Sequence, residues 1–268
     1  MMNFAYHRPR TLAEASRLLL DHGEASLFAG GTDLFVELRE GLRQCRHAID
    51  LKAIAELDGL SFDEVRGLSI GALATARDIE TSPIIAAHYP DLAAAARSLG
   101  SIQVRNRATL TGNICRASPS ADLSAPLLAN QAEVDIHGPA GQRLLPIEQF
   151  FLGPGRTALA AGEIVTAVSV PPPQPGSGRS YLKLGRRQAM ELATVGVAAA
   201  LRLEQDRCVE VRIALGAVAP TPIRARGAER ALLGQPLSPA ALAAAAAAAM
   251  AECAPIDNVR ASAAYRRD

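Results

Sequence analysis

Two short motifs rich in small residues constrain this chain more than any other feature. The first, FAGGTDL, occupies residues 28–34, and the second, TLTGNICRASPSAD, occupies residues 109–122. Gly30 and Gly31 can adopt positive φ without a Cβ clash, so the backbone can turn sharply there. Successive N–H groups then point into one concavity, which binds anions, and a helix that starts directly afterwards adds to the attraction. The first motif therefore predicts an anion-binding loop.

The second motif predicts another close approach between the backbone and a ligand. Thr111, Gly112 and Asn113 form a turn that carries hydroxyl and amide groups. Ser118 adds a short polar group, and Asp122 either caps the apolar helix that follows or holds a ligand hydroxyl. Each motif taken alone also fits an ordinary strand-to-helix turn or a capped loop, and neither is a dinucleotide fingerprint or a Walker loop.

Together, in this order and at this separation, the two motifs resemble those of a known family. The chain resembles the FAD-binding medium subunits of molybdenum hydroxylases, the xanthine dehydrogenase and carbon monoxide dehydrogenase family, in which an AGGTDL-like loop and a GGN…SP..D loop embrace the FAD. The resemblance extends over nearly the whole chain, through its ending DNVRASAAYRRD. It implies an oxidoreductase subunit that carries FAD and transfers electrons within a heterotrimeric complex.

The resemblance implies FAD contacts in both motifs and at two later positions. Val165 falls where the family packs an aliphatic residue against the flavin or its chain. Lys183 falls where a family lysine reaches the flavin, and a cation there favours the negative charge of reduced flavin; an exposed strand position is the alternative. The implied contacts are Leu27, Phe28, Ala29, Gly30, Gly31, Thr32, Asp33, Leu34, Thr109, Leu110, Thr111, Gly112, Asn113, Ser118, Asp122, Val165 and Lys183.

Two residues depart from the family pattern. Ser26 stands where the family commonly has lysine or arginine, and Thr111 stands where it often has glycine. Backbone donors carry much of the phosphate attraction at such loops, so we expect the loss at Ser26 to be partial. The Cβ of Thr111 is expected to tighten or shift its turn.

The chemistry of substrate oxidation is expected to lie on other chains. The five histidines are scattered, and no Ser/His/Asp or Cys/His constellation is evident, so we expect no catalytic residue here. The resemblance implies oxidation at a molybdenum cofactor on a large subunit and transfer through [2Fe–2S] clusters on a small subunit. The FAD then passes the electrons to an acceptor such as NAD or a quinone.

Cysteine usage and charge exclude several other classes. Cys45, Cys115, Cys208 and Cys253 form no C-x-x-C pair, so we expect free thiols and no metal site, with Cys115 of interest inside the second motif. A formal net charge of +1 gives no electrostatic footprint for nucleic acid or an anionic membrane. The N-terminus lacks a signal-peptide core, and no apolar run is long enough to span a bilayer, so a cytoplasmic location is expected.

The predicted fold is α+β, with a two-lobed (PCMH-type) FAD-binding domain followed by a small C-terminal α+β domain. The first domain covers 1–174, with lobe one at about 1–55 and lobe two at about 56–174, and its patterns include helices over 79–87 and 91–99. The segment PPPQPGSG supplies a linker at 175–178. The domain at 179–268 is expected to hold a three-stranded sheet plus helices.

Two other functions remain open from the residues alone. A stand-alone FAD oxidoreductase would bind its substrate over the flavin, and it usually needs a substrate-capping domain or a histidine that holds the flavin covalently. Neither ligand motif contains a histidine. A flavin-free interaction subunit is supported only by the departures at Ser26 and Thr111.

Overall fold

The computed structural model describes residues 3–268, and these contain four sheets. The strands are β1 (Ala5–His7), β2 (Ala25–Phe28), β3 (His47–Asp50), β4 (Leu60–Asp63), β5 (Gly67–Gly71), β6 (Glu133–Gly138), β7 (Gly141–Pro146), β8 (Phe151–Gly153), β9 (Arg156–Thr157), β10 (Ile164–Val170), β11 (Ser177–Leu184), β12 (Val195–Glu204), β13 (Arg207–Gly216) and β14 (Ile223–Arg224).

The helices lie between and around these strands. They are α1 (Leu12–Asp21), α2 (Leu34–Arg39), α3 (Ala76–Thr81), α4 (Pro83–His88), α5 (Pro90–Ser98), α6 (Ile102–Arg105), α7 (Leu110–Cys115), α8 (Ser124–Ala129), α9 (Ile147–Phe150), α10 (Arg226–Leu232), α11 (Pro239–Glu252) and α12 (Ala263–Arg267). Two single 3₁₀ turns, Leu51–Ala53 and Ala55–Leu57, lead out of β3.

Lobe one is a parallel three-stranded sheet in the order β1-β3-β2 with a helix on each face. Successive residues of a strand point to opposite faces. Ile49 of β3 accordingly packs with Leu12 and Ala15 of α1, whereas Ala48 packs with Leu34 and Leu38 of α2. The carboxyl end of β2 is therefore held between two packed faces at the point where the glycine loop begins.

Lobe two is a five-stranded antiparallel sheet in the order β4-β5-β10-β6-β7. Its core joins Ile70 and Val168 from the sheet to Leu92 of α5 and Leu110 of α7. The helix predicted over 79–87 is two helices, α3 and α4. Ser82 ends the first and caps the second, and Pro83 at the first helical position cannot donate the hydrogen bond that a continuous helix needs.

The C-terminal unit is an antiparallel sheet in the order β11-β12-β13-β14, backed by α10 and α11. Three strands were expected in this sheet, and the short β14 adds a fourth. β11 starts at Ser177, so the strand begins within the segment that the sequence assigns to a linker. Tyr181 of β11 and Ala198 of β12 belong to the same buried cluster as the helices of lobe two. The C-terminal sheet is therefore packed against lobe two.

Among the helices of residues 3–268, none combines the length and the apolar character that crossing a bilayer requires.

Candidate functional site

A cleft of about 1170 Å³ lies where lobe one, lobe two and the C-terminal unit meet. Lobe one contributes residues 25–34, which contain the glycine loop, and lobe two contributes much of the second motif. The C-terminal unit contributes Met190, Glu191 and Leu192 from the segment after β11. The two motifs that the sequence singles out therefore face one shared cavity.

The glycine loop presents a run of backbone donors to this cleft. β2 ends at Phe28, Gly31 adopts φ +72°, and α2 begins at Leu34. Within residues 3–268, no protein acceptor takes the amide hydrogens of Gly31, Thr32 and Asp33. All three residues line the cleft, so these donors are available to an anionic ligand.

Only Gly31 adopts the positive φ expected of the two glycines. A Cβ at position 30 would lie 1.8 Å from the carbonyl oxygen of Arg107, and a Cβ at position 31 would lie 2.5 Å from the Phe35 ring. Gly30 thus lets the loop touch the backbone of lobe two just before the second motif. Gly31 is required by its positive φ, and its missing Cβ faces α2 rather than the ligand.

The second motif begins as a helix rather than as the predicted turn. Thr109 caps α7, and its Oγ1 accepts a hydrogen bond from the amide of Gly112 at 3.0 Å. Gly112 and Asn113 line the cleft. The side-chain Oδ1 of Asn113 is buried and has no hydrogen-bond partner among the described residues. A buried acceptor without a partner is costly, so this oxygen marks a place for a ligand donor.

Asp122 connects the cleft to the C-terminal unit and does not cap α8, whose N-cap is Leu123. Its Oδ1 accepts a hydrogen bond from the Tyr181 hydroxyl at 3.1 Å, and its Oδ2 accepts one from the Lys183 ammonium at 2.9 Å. Burial raises the pKa of the Asp122 carboxyl, and the positive charge of Lys183 opposes that rise. Burial and the Asp122 charge raise the pKa of Tyr181, which therefore stays a donor.

The Lys183 ammonium is fully engaged by the protein. Besides Asp122, it donates to the carbonyl oxygens of Ser98 at 3.0 Å and Glu191 at 2.8 Å. An ammonium has three hydrogens, so none is left over for the direct approach to the flavin that the resemblance implies. Lys183 does not line the cleft; it contacts Asp122, which does.

Two arginines supply positive charge at the cleft. Arg116 lies 2.7 Å from one carboxylate oxygen of Glu37, and Arg43 lies 3.5 Å from the other. All three residues line the cavity. Arg116 belongs to the second motif but is not among the predicted contacts. Arg43 follows α2.

Most of the predicted contact residues line the cleft, and four do not. Those on the wall are 27–34, Thr109, Gly112, Asn113, Ser118 and Asp122. Leu110, Thr111 and Val165 are buried, and Lys183 lies behind Asp122. FAD contacts at all these positions remain a prediction.

Several further residues on the wall are not among the predicted contacts. They are Glu37, Arg43, Leu99, Gly100, Val104, Cys115, Arg116, Ser120, residues 159–163, Met190, Glu191 and Leu192. Cys115, Arg116 and Ser120 lie inside the second motif, where the sequence draws attention to Cys115 but not to Arg116. The others carry no local signal, because folding alone brings them to the cavity.

Cys115 is expected to be an unreactive thiol although it lines the cleft. Burial raises the pKa of this thiol to about 12. Since the thiolate is the reactive form, alkylation by iodoacetamide at neutral pH should be at least about 100-fold slower than that of free cysteine. Peptide mass spectrometry of timed samples measures this rate, and labelling of Cys115 as fast as free cysteine would contradict the prediction.

Comparisons with known proteins agree with this geometry. A family described as the FAD binding domain in molybdopterin dehydrogenase matches residues 2–173, and one described as the CO dehydrogenase flavoprotein C-terminal domain matches residues 180–268. A putative xanthine dehydrogenase FAD-binding subunit of Escherichia coli K12 is 40% identical over 268 residues, which cover 99% of this chain and 92% of the relative. The carbon monoxide dehydrogenase medium chain of Hydrogenophaga pseudoflava is 38% identical over 264 residues, covering 98% and 91%.

A solved structure is similar along the same length. It is carbon monoxide dehydrogenase from Hydrogenophaga pseudoflava, in a form that lacks the Mo-pyranopterin moiety of the molybdenum cofactor. The TM-score is 0.96 at 38% identity, and the match covers 99% of this chain and 92% of the other. Both the two-lobed domain and the C-terminal unit therefore have a counterpart of the same architecture.

Proposed function

The chain belongs to the family of FAD-binding medium subunits of xanthine and carbon monoxide dehydrogenases, and we propose that it is the FAD-carrying electron-transfer subunit of such an enzyme. FAD is its cofactor. One observation carries the proposal: unpaired backbone donors at the glycine loop and the unpaired Asn113 oxygen line the same cavity. Their donor and acceptor chemistry fits a ligand that has both phosphates and polar groups.

The glycine loop is the part of the site that suits the pyrophosphate. The amides of Gly31, Thr32 and Asp33 can donate to phosphate oxygens without giving up a protein acceptor. Arg43 and Arg116 place guanidinium groups on the same cavity wall, where they offset the phosphate charge. This arrangement makes up for the missing cation at Ser26.

The second motif and its neighbours orient the rest of the cofactor. Asn113 offers an acceptor to a ligand N–H or O–H, and Asp122 offers a carboxylate held in place by Tyr181 and Lys183. Four aliphatic side chains on the wall would give the flat ring an apolar surface; they are Leu99, Val104, Leu159 and Leu192. When bound, FAD supplies the redox chemistry by accepting electrons from one partner and passing them to another.

The proposal includes partners that supply and remove these electrons. They are a subunit with a molybdenum cofactor, a subunit with [2Fe–2S] clusters, and an acceptor such as NAD or a quinone. Support comes from the medium-chain relatives and from the molybdenum cofactor named for the similar solved structure. Substrate oxidation is assigned to the molybdenum subunit, so this chain contributes binding, orientation and electron passage.

The domain division and the compartment belong to the same proposal. We assign 1–174 to the FAD-binding domain and 179–268 to the C-terminal domain, which agrees with the break between the two family matches. A cytoplasmic location is supported by four free cysteines, because a reducing compartment keeps thiols unpaired.

The isolated chain is expected to bind one FAD and to oxidise no substrate by itself. After incubation with FAD and removal of the excess, it should show the absorbance bands of an oxidised flavin. Purines, aldehydes and aromatic heterocycles should leave these bands unchanged. Once the iron–sulfur and molybdenum partners are added, a substrate of the complex should bleach them, and an acceptor should restore them.

The two other functions give different results in the same experiment. A chain that stays colourless after incubation with FAD would be a flavin-free interaction subunit. A chain whose flavin is reduced by substrate without partners would be a stand-alone oxidoreductase. Either result would overturn the proposed function.

A further inference from the structure

Three histidines that the sequence leaves scattered meet on the surface of lobe one. The ring nitrogens of His7, His22 and His47 lie within 4.8 Å of one another, taking one ligand atom from each residue. The Nε2 of His7 is 3.0 Å from the Nδ1 of His47. All three residues are partly exposed, and none of them lines the FAD cleft.

The fold of lobe one brings these residues together from three elements. His7 ends β1 and His47 begins β3, and these strands pair in parallel with His7 opposite Ile49. Since alternate residues of a strand share a face, His47 lies on the face of Ile49, against which α1 packs. His22 follows the last residue of α1 and lies over the same edge. The cluster therefore connects both strands to the helix.

The three rings are stacked rather than dispersed. The centroids of His22 and His47 are 4.0 Å apart with the planes at 5°, and His7 lies 5.2 Å from His47 at 25°. Three protonated imidazoles could not share so small a space without strong repulsion. A neutral imidazole keeps a lone pair on one ring nitrogen, and that nitrogen is the atom that binds a metal ion.

The geometry points to a zinc-type metal site formed by His7, His22 and His47, distinct from the FAD site. Two nitrogen ligands about 2.1 Å from one ion are separated by roughly 3.0 to 3.4 Å, and the two nearest nitrogens here are 3.0 Å apart. The His22 ring is stacked on His47, so it must turn out of the stack before its lone pair points at the same ion; the χ2 angle of histidine has a broad energy profile. Three imidazoles with an open fourth position are a donor set that suits Zn²⁺.

A metal at this place would join β1, β3 and the end of α1. These elements are far apart in sequence, so an ion that binds all three stabilises the folded state and has no equivalent site in the unfolded chain. The inference does not depend on the proposed function, because the histidines lie outside the cleft.

The test uses the full-length FAD-loaded chain without a histidine tag, stripped of metal by a chelator and titrated with ZnCl₂ at neutral pH. We expect one saturable equivalent of zinc per chain and a rise in the unfolding temperature. His22→Gln and His47→Gln should each weaken binding at least about tenfold and remove the thermal shift. Flavin content should not change in either variant.

His88→Gln is the matched control. His88 is partly exposed like the cluster residues, but it stacks on Phe62 in lobe two, with centroids 4.2 Å apart. This variant should bind zinc as the wild type does. Replacing Zn²⁺ by Co²⁺ gives a second readout, since the visible absorption of bound cobalt reports imidazole coordination and should vanish with His47→Gln.

Two outcomes would overturn the inference. One is saturable zinc binding that is equal in the wild type, His22→Gln and His47→Gln, which would place the metal elsewhere. The other is no saturable binding at all. The contact between His7 and His47 would then be a hydrogen bond between neutral imidazoles, and His22 would only stack upon it. His22 lies outside both strands, so its variant tests the site even if His47→Gln fails to fold.

Discussion

Gly31→Val is expected to abolish measurable FAD binding while the hydrophobic core stays folded. Gly31 adopts φ +72°, which a β-branched residue resists, and a Cβ there would lie 2.5 Å from the Phe35 ring. The turn must therefore change, and the amides of residues 31–33 lose their common direction. If two hydrogen bonds to phosphate are lost at about 1.5 to 3 kcal/mol each, affinity falls roughly 100-fold or more. Quenching of FAD fluorescence during titration measures the dissociation constant.

Gly234→Val is the control for backbone strain alone. Gly234 adopts φ +78° in the C-terminal unit, and nothing lies within 4 Å of a Cβ built there. This variant should lose stability but keep wild-type FAD affinity. Circular dichroism on both variants separates unfolding from loss of the site. Full flavin content in folded Gly31→Val would show that the loop does not bind the pyrophosphate.

Lys183→Met is expected to lower the free energy of unfolding by about 3 to 5 kcal/mol and to weaken FAD binding as well. The Lys183 side chain is 11% exposed and that of its partner Asp122 is 5% exposed. Removing the ammonium leaves a buried carboxylate without its counter-charge and frees two carbonyl oxygens, those of Ser98 and Glu191. We expect Asp122 then to take up a proton or to turn away from the cleft. Denaturant unfolding and FAD titration measure the two losses.

The double variant Lys183→Met with Asp122→Asn distinguishes a positioning role from direct contact. Asparagine is uncharged, so it needs no counter-charge when Lys183 is absent. Its side-chain oxygen can still accept the hydrogen bond from Tyr181, and most of the lost stability should therefore return. If Lys183 acts through Asp122, FAD affinity should also recover to within about tenfold of wild type. Affinity that stays at the level of Lys183→Met would contradict the view that Lys183 acts only by neutralising Asp122.

The flavin reduction potential gives an independent check on the same pair. A lone ammonium near the ring would favour reduced flavin, as the resemblance implies. Here the ammonium is neutralised by a carboxylate at 2.9 Å. The double variant removes both charges, so its potential should stay near that of wild type. In the Lys183→Met variant the potential should fall if Asp122 stays ionised and should stay near that of wild type if Asp122 takes up a proton.

Much of the site could be predicted because its determinants are local. Gly31 adopts the positive φ that the motif predicts, and α2 begins directly after the loop, as expected of an anion-binding turn. Each effect involves residues within one turn or one strand. The glycine loop at the end of β2 and its place on the cavity wall therefore followed from the motif.

Gly30 is required for a close approach, as predicted, but not for the predicted approach to a ligand. The sequence indicates a close approach, and the approach exists, but its partner is the backbone oxygen of Arg107 and not a ligand. Likewise, the predicted turn at 109–113 is the first part of α7, because Thr109 caps it and leucine at 110 is buried in the core of lobe two. A glycine motif predicts that another group approaches the backbone closely, but it does not identify that group.

By itself, the sequence determined the family, the cofactor, the two motifs that line one cleft and the order of the main elements, since these depend on short-range backbone preferences and matching motifs. Only the tertiary structure decided that Asp122 pairs with Lys183, that Arg43 and Arg116 share a wall, and that three distant histidines meet. Strand register and the packing of three units set those distances, and both depend on contacts between residues far apart in the chain.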